Sequence, residues 1–300
     1  MAPSGRHTQS DGETLELSLT THFPNSGVTQ ESAVPAATLM VRRPYWRLAI
    51  RIVTYRRVEW AIDSFAPYKS PGVDGIFPAF LQKARKVIIP HLVRIFHACL
   101  SMGYVPAIWR QVKVVFIPKP GRNSYSGPRD YRPISHTLFL LKTMDRLVDR
   151  HLRDGALALM PLHLNQHAYQ AAKSVETALH QLAVRVEKAL DRQETALGIF
   201  LGIEGAFNNT CYDVMCDALV KHGSEYTIVR WMRAIMVGRV DVATLNGSSV
   251  RFAISRGCPQ GWCVLSPFLW CLVVNDLIAR FSGSGIFIQG YADDMSPCGG

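Results

Sequence analysis

The sequence is short of several features that mark common protein classes. No two of its seven cysteines are spaced CxxC, and their number is odd. That excludes a paired-cysteine zinc ribbon and argues against a disulfide framework, so a reducing compartment is expected. Of the seven, Cys99, Cys211, Cys216, Cys258, Cys263, Cys271 and Cys298, several lie in apolar stretches, as small core residues do. Neither a GxGxxG nor a P-loop pattern occurs. Acidic residues are outnumbered: 23 Asp and Glu face 33 Lys and Arg, a formal net charge of +10. Such an excess favours a polyanionic partner, with nucleic acid ahead of an anionic membrane surface. Long hydrophobic runs are missing too. The most apolar segment, "VLSPFLWCLVVNDLI" (264–278), is too short and too interrupted by Ser, Pro, Asn and Asp to span a bilayer, and reads as a core helix. The N-terminus, "MAPSGRHTQSDGETLE", lacks the apolar stretch of a secretion signal. An intracellular location, cytoplasm or nucleus, with no membrane partner is the expectation.

What is present supports a sizeable core: 48% of the 300 residues are hydrophobic, enough for one large domain or two small ones. Residues 1–40 are rich in Ser, Thr, Gly and Pro without a sustained period, which predicts a disordered leader or linker. Next comes "VRRPYWRLAIRIVTYRR", with Arg42, Arg43, Arg47, Arg51, Arg56 and Arg57 interleaved with Tyr45, Trp46 and Tyr55. Two readings stand side by side. Arginines with aromatics suit phosphate contact plus base stacking. The same pattern also describes a solvated helix face over a buried aromatic stripe.

Further along, Thr54 caps a short predicted helix, and a helical region over 78–102 is expected to break near Pro90. A strand is predicted at 112–120, then a polar loop, "GRNSYSGPRDYRPIS", and a helix at 140–152. Val175, Leu179, Leu182, Val186 and Leu190 recur at helical spacing after Ser174, predicting a capped helix over 175–192. The apolar run at 196–201 reads as a buried strand. Two helices, 211–222 and 226–237, end at Gly223 and Gly238. Asn246-Gly247 between alternating runs predicts a hairpin with a type I′ turn. A helix over 268–281 and a last strand lead into "YADD" (291–294). Helices and strands mix without regular βα alternation, so the class is α+β.

Two adjacent aspartates at a strand end repel each other, and a divalent cation removes that cost. Two-metal phosphoryl transfer needs carboxylates from at least two chain segments. Alone, "YADD" is weak evidence, since an exposed turn with two aspartates is the commoner explanation. His163 and His167 in "HLNQH" lack the glutamate of a zinc protease motif and read as a loop.

In order, the chain carries "KSPGVDGI", "FIPKPG", "DYRPIS", "QHAYQAAKSVETAL", "FLGIEGAFNNT", "NGSSVRFAISRGCPQG", "LSPFLW" and "YADD". From about residue 54 to residue 294, this ordered set resembles the reverse transcriptase of non-LTR retrotransposons, LINE-type and jockey-like. The resemblance implies the fingers and palm of a right-hand polymerase over 41–300. It implies RNA-directed DNA synthesis on an RNA template and DNA primer, with dNTPs and Mg2+ or Mn2+. It further implies that Lys119 and Arg132 grip the triphosphate, Phe207 screens the sugar, Gln260 and Gly261 position template and nucleotide, and Asp293 and Asp294 hold metal.

Three departures from the family pattern bear on activity. "FLDIEGAF" here reads "FLGIEGAF", so Gly202 stands where a metal-bridging aspartate is expected. Glu204, two residues on, would point the same way only if the strand continued. "GCPQGGVLSP" here reads "GCPQGWCVLSP", one residue longer, with Trp262 for a glycine. After "YADD" the chain reads "MSPCGG", poor strand material, so the returning strand and the thumb are expected to be missing. Together these predict an inactive copy, either a non-catalytic nucleic-acid-binding remnant or an element fragment without function.

Overall fold

The computed structural model describes residues 8–30, 44–259, 265–281 and 286–299, the side chains of 296–299 excepted. Arg42, Arg43, Gln260, Gly261 and Trp262 fall outside that set. The chain runs through α1 (Asp11–His22), β1 (Gly27–Val28), α2 (Trp46–Ile52), α3 (Tyr55–Asp63) and α4 (Pro78–Met102). Then come β2 (Gln111–Pro118), β3 (Tyr131–His136), α5 (Phe139–Asp154), α6 (Ala156–Leu159), α7 (Val175–Asp191), β4 (Leu197–Gly198) and β5 (Leu201–Gly202). The last elements are α8 (Ala206–Asn209), α9 (Tyr212–Lys221), α10 (Tyr226–Met236), β6 (Val240–Leu245), β7 (Ser248–Ala253), α11 (Leu265–Phe281), β8 (Phe287–Tyr291) and β9 (Asp294–Gly299).

Local chemistry sets many of these boundaries. The Thr54 and Ser174 side chains accept N–H bonds from Arg57 and Thr177, capping α3 and α7 as expected. Gly223 and Gly238 follow α9 and α10 with φ of +73° and +72°, the left-handed conformation that glycine adopts most readily. Asn246 and Gly247 both have positive φ, as a type I′ turn requires, and join β6 to β7. Helices α2 to α5 and α9 to α11 share one core, through side chains such as Val58, Phe96, Leu147, Trp231 and Leu272. Two sheets flank it, and the class is α+β. One has the order β1-β7-β6-β2-β3, antiparallel except for the β2–β6 pair. The other places β9 between β8 and the β4/β5 pair.

Five expectations need correction. Residues 8–30 are not a disordered leader. Leu15, Leu19 and Phe23, four apart on one stripe of α1, bury against Val112, Val114 and Phe252, and β1 pairs with β7. The Ser and Thr between them hid that stripe in the composition. Helix α4 runs through Pro90 unbroken. Ile89, Leu92 and Phe96 on both sides of the proline sit in the same core, which outweighs one missing ladder bond. The polar loop ends early, because Tyr131–His136 pairs with β2 as β3.

The returning strand after "YADD" exists. β9 pairs with β8 from Tyr291↔Asp294 to Phe287↔Cys298, and on its other side with β5 and β4. Pairing on both flanks overrides the poor propensity of its proline and glycine. β4 and β5 keep one register against β9, and the gap between them falls opposite Ser296 and Pro297. A proline has no N–H to give, so the ladder fails locally there. Finally, the strand at 196–201 is not buried: Leu197 is 67% and Phe200 73% exposed. An apolar run signals burial of both faces in a central strand, and this one lies at a sheet edge.

Candidate functional site

The "YADD" turn is held from three directions. Ala292 takes a left-handed φ of +54°, costly for a residue with a Cβ. Its carbonyl accepts the Trp270 indole N–H at 2.7 Å. The Asp293 carbonyl accepts the Ile203 N–H at 2.9 Å, tying the turn to the strand that carries Gly202. Gly202 itself pairs with Asp294. A Cβ built on Gly202 would meet Asp294 Oδ1 at 3.6 Å, ordinary contact distance, and nothing nearer.

Lys119, Arg132, Phe207 and Asp293 line one cleft of about 850 Å3. The β2–β3 hairpin supplies its cationic side. Lys119 N–H donates to the Asp130 carbonyl at 2.8 Å, and Arg132 stands opposite Ile117 in the ladder. Arg122 and Arg129 line the same cleft. Sequence reasoning passed over both, although "GRNSYSGPRDYRPIS" carries them just ahead of Arg132, which lies in β3. The chain turns at Gly205 (φ +66°), and the Glu204 carboxylate lies 3.9 Å from the Arg129 guanidinium.

Phe207 is half-buried, its ring 6.2 Å from that of Trp270. Trp270 thus touches both the expected sugar-screening residue and the aspartate turn. Sequence reasoning missed it inside an apolar helix, where the one signal was an indole N–H that needs an acceptor. The loop leading toward Gln260 is also fixed. Cys258 N–H donates to the Phe207 carbonyl at 2.8 Å. Gly257 has φ +78°, and a Cβ there would meet Asn208 backbone oxygen at 2.4 Å, so only glycine fits. Buried Arg239 donates from Nη1 to the Gly257 carbonyl at 3.1 Å, with Nε 3.0 Å from Asp241 Oδ1. Burial pushes the Asp241 carboxyl up to about 6, with Arg239 opposing it. Burial pushes the Cys258 thiol up to about 11, which favours the protonated, less nucleophilic form.

The arginine-rich stretch divides in two. Arg57 Nη1 donates to the carbonyls of Arg51 and Ile52, closing the end of α2, and Arg51 pairs with Glu225 at 2.7 Å. Arg47 and Arg56 are exposed. Tyr45, Trp46 and Tyr55 are 43–50% exposed, which speaks against a buried aromatic stripe.

For metal, the donors fall short. Among the described residues no group of three His, Cys, Asp or Glu side chains is placed to hold an ion. Asp293 and Asp294 come from one segment, and Gly202 offers nothing from the second, so the residues present do not fit a two-ion centre. His163 and His167 are tied into loop bonds, His167 to Thr177 and Gln181 and His163 to the Asn165 N–H. No helix among the described residues is long and apolar enough to cross a membrane.

Comparison with known proteins adds independent information. Residues 117–296 match the reverse transcriptase (RNA-dependent DNA polymerase) family. A Drosophila melanogaster protein described as a probable RNA-directed DNA polymerase from transposon BS is 28% identical over 77% of this chain and 25% of its own length. A Pol polyprotein from a type-1 retrotransposable element of Bradysia coprophila is 29% identical over 75% of this chain and 22% of its own. The RNA-directed DNA polymerase from mobile element jockey of Drosophila funebris is 27% identical over 81% and 27%. The chain therefore spans about a quarter of the length of these relatives. A solved apo telomerase from Candida tropicalis aligns with a TM-score of 0.46 at 11% identity, over 64% of this chain and 44% of that one.

Proposed function

The chain belongs to the reverse transcriptase family, and from that premise we propose that it is the fingers-palm part of an RNA-directed DNA polymerase whose catalytic step is disabled. Within 41–300 the proposal assigns Lys119 and Arg132 to the triphosphate of an incoming dNTP, Phe207 to its sugar, and Gln260 and Gly261 to template and nucleotide. Asp293 and Asp294 are the remaining members of the carboxylate set. RNA template and DNA primer are the proposed partners. The family reaction joins a deoxynucleotide to a primer 3′-hydroxyl and releases pyrophosphate. Its transition state develops charge on the transferred phosphoryl group, and positioned opposite charge is the main source of rate.

One observation carries the disabled step. Gly202 sits in register with Asp294, with room for a side chain beside that carboxylate and none there. Primer extension on an RNA template with Mg2+ or Mn2+ tests it. The unaltered chain is expected at background, and Gly202→Asp at least about a hundredfold above it, the size of one missing electrostatic group. Extension by the unaltered chain sinks the proposal.

A second reading, binding without catalysis, is favoured by the exposed Tyr45, Trp46 and Tyr55 beside Arg47 and Arg56. Salt-dependent retention of RNA–DNA duplex supports it. Undetectable binding at low salt leaves only an element fragment without function.

A further inference from the structure

The first helix forms a wall of the cationic cleft, although the family match begins only at residue 117. Thr21, His22 and Pro24 line the cleft with Lys119, Arg122 and Arg129. The helix is anchored below, where Leu19 and Phe23 are buried against β2 and β7. From its end the His22 ring lies 5.8 Å from the Phe116 ring, and Nε2 donates to the Pro128 carbonyl at 3.0 Å. A carbonyl oxygen only accepts, so Nε2 carries the proton. The bonds continue from there. Asp130, two residues on, accepts the Gly127 N–H on its carboxylate at 2.9 Å and the Lys119 N–H on its carbonyl at 2.8 Å. Burial lowers the His22 pKa, the Pro128 bond partly offsets this, and Lys119 and Arg129 lower it further. The ring is thus neutral at pH 7 and adds no charge of its own.

We propose that His22 is a positioning residue: from α1 it holds the loop of residues 119–130 so that its cations converge on one polyphosphate in the cleft. The proposal rests on the nucleotide reading of the cleft given above. Arg122 lies 3.8 Å from Asp130 and Arg129 3.9 Å from Glu204, solvent-facing pairs that by themselves do little to fix the loop. A loop fixed before the ligand arrives has less ordering to do on binding.

Calorimetric titration of the full chain with inorganic tripolyphosphate at pH 7.5 tests this. His22→Phe keeps a ring against Phe116 and removes the donor. It is expected to bind about fivefold more weakly, the size of one net hydrogen bond. His22→Gln restores an N–H donor and is expected within about twofold of the parent on the same scale. His22→Leu, smaller and also without a donor, repeats the test should the larger ring disturb folding. Parent-like binding by His22→Phe and His22→Leu, or no recovery in His22→Gln, overturns the brace. Arg132→Ala separates the two levels. If it weakens binding while the donor-less variants do not, the brace alone falls. If the parent binds no tripolyphosphate, the nucleotide reading falls and the brace with it.

Discussion

A Cβ on Gly202 meets nothing closer than Asp294 Oδ1 at 3.6 Å, so an aspartate fits there without repacking. It would also set two carboxylates side by side. At about 4 Å in water that repulsion is roughly 1 kcal/mol. In the absence of divalent ions Gly202→Asp is therefore expected to melt slightly below the parent. Mn2+ is expected to raise the variant's melting temperature more than the parent's, and an equal response of both proteins counts against a carboxylate vacancy at 202. A second carboxyl makes a different prediction. Asp145 in α5 is fully buried, and neither of its oxygens has a hydrogen-bond partner. Burial raises its pKa well above the ordinary range, Lys142 opposes this, and Asp149 adds to it. A raised folded pKa means that the folded state binds more protons than the unfolded one. Its contribution is full below the unfolded value and is lost as pH rises through the folded value. Asp145→Asn removes that loss and is expected to stabilise the chain at pH 7 by about 1–3 kcal/mol. The gain should fade toward pH 4, and a gain constant with pH sinks the assignment. Gly202 was legible in the sequence because a missing charge shows against a motif. Asp145 was not, because a carboxylate on a helix reads as surface until the packing is seen.

At the scale of elements, the aspartate turn is held by Trp270 of α11 and by the Ile203 N–H next to Gly202. Trp270→Phe keeps an aromatic ring beside Phe207 and leaves the Ala292 carbonyl without its donor. A net cost of about 1 kcal/mol is expected, read as a lower denaturation midpoint. The turn should also loosen, so exchange of the Ile203 amide should quicken roughly fivefold, as that free energy implies. Unchanged Ile203 protection would show that α11 does not hold the turn. Elements with strong local signals were legible: the capped α3 and α7, the glycines after α9 and α10, the Asn-Gly hairpin. Those decided by tertiary packing were not. β9 forms through Pro297 because β8 pairs along it there while β5 and β4 pair on either side of the proline, and α4 crosses Pro90 because its buried residues continue on either side. α1 escaped notice because three apolar residues carry it among serines and threonines.

For the whole molecule, a charge of +10 says that a polyanion is attracted but not where it lies. The structure sorts the arginines by what they already hold. Arg57 closes α2 through two carbonyls, and Arg51 is paired with Glu225 at 2.7 Å. Arg47 and Arg56 are exposed beside Tyr45, Trp46 and Tyr55. Side chains of the second kind are available to phosphates, and removing one cation that binds a phosphate should lower the salt slope of log K by about 1. Arg47→Ala and Arg56→Ala are thus each expected to weaken RNA–DNA duplex binding and to flatten its salt dependence by about that amount. Arg57→Ala should leave the slope unchanged and instead lower the melting temperature, since it removes hydrogen bonds from a helix end. Fluorescence anisotropy at several salt concentrations, run beside thermal melts, reads both quantities. The sequence shows six arginines of one kind; folding makes some of them structural and leaves others facing solvent, and an equal slope change for Arg57→Ala and Arg56→Ala would erase that distinction.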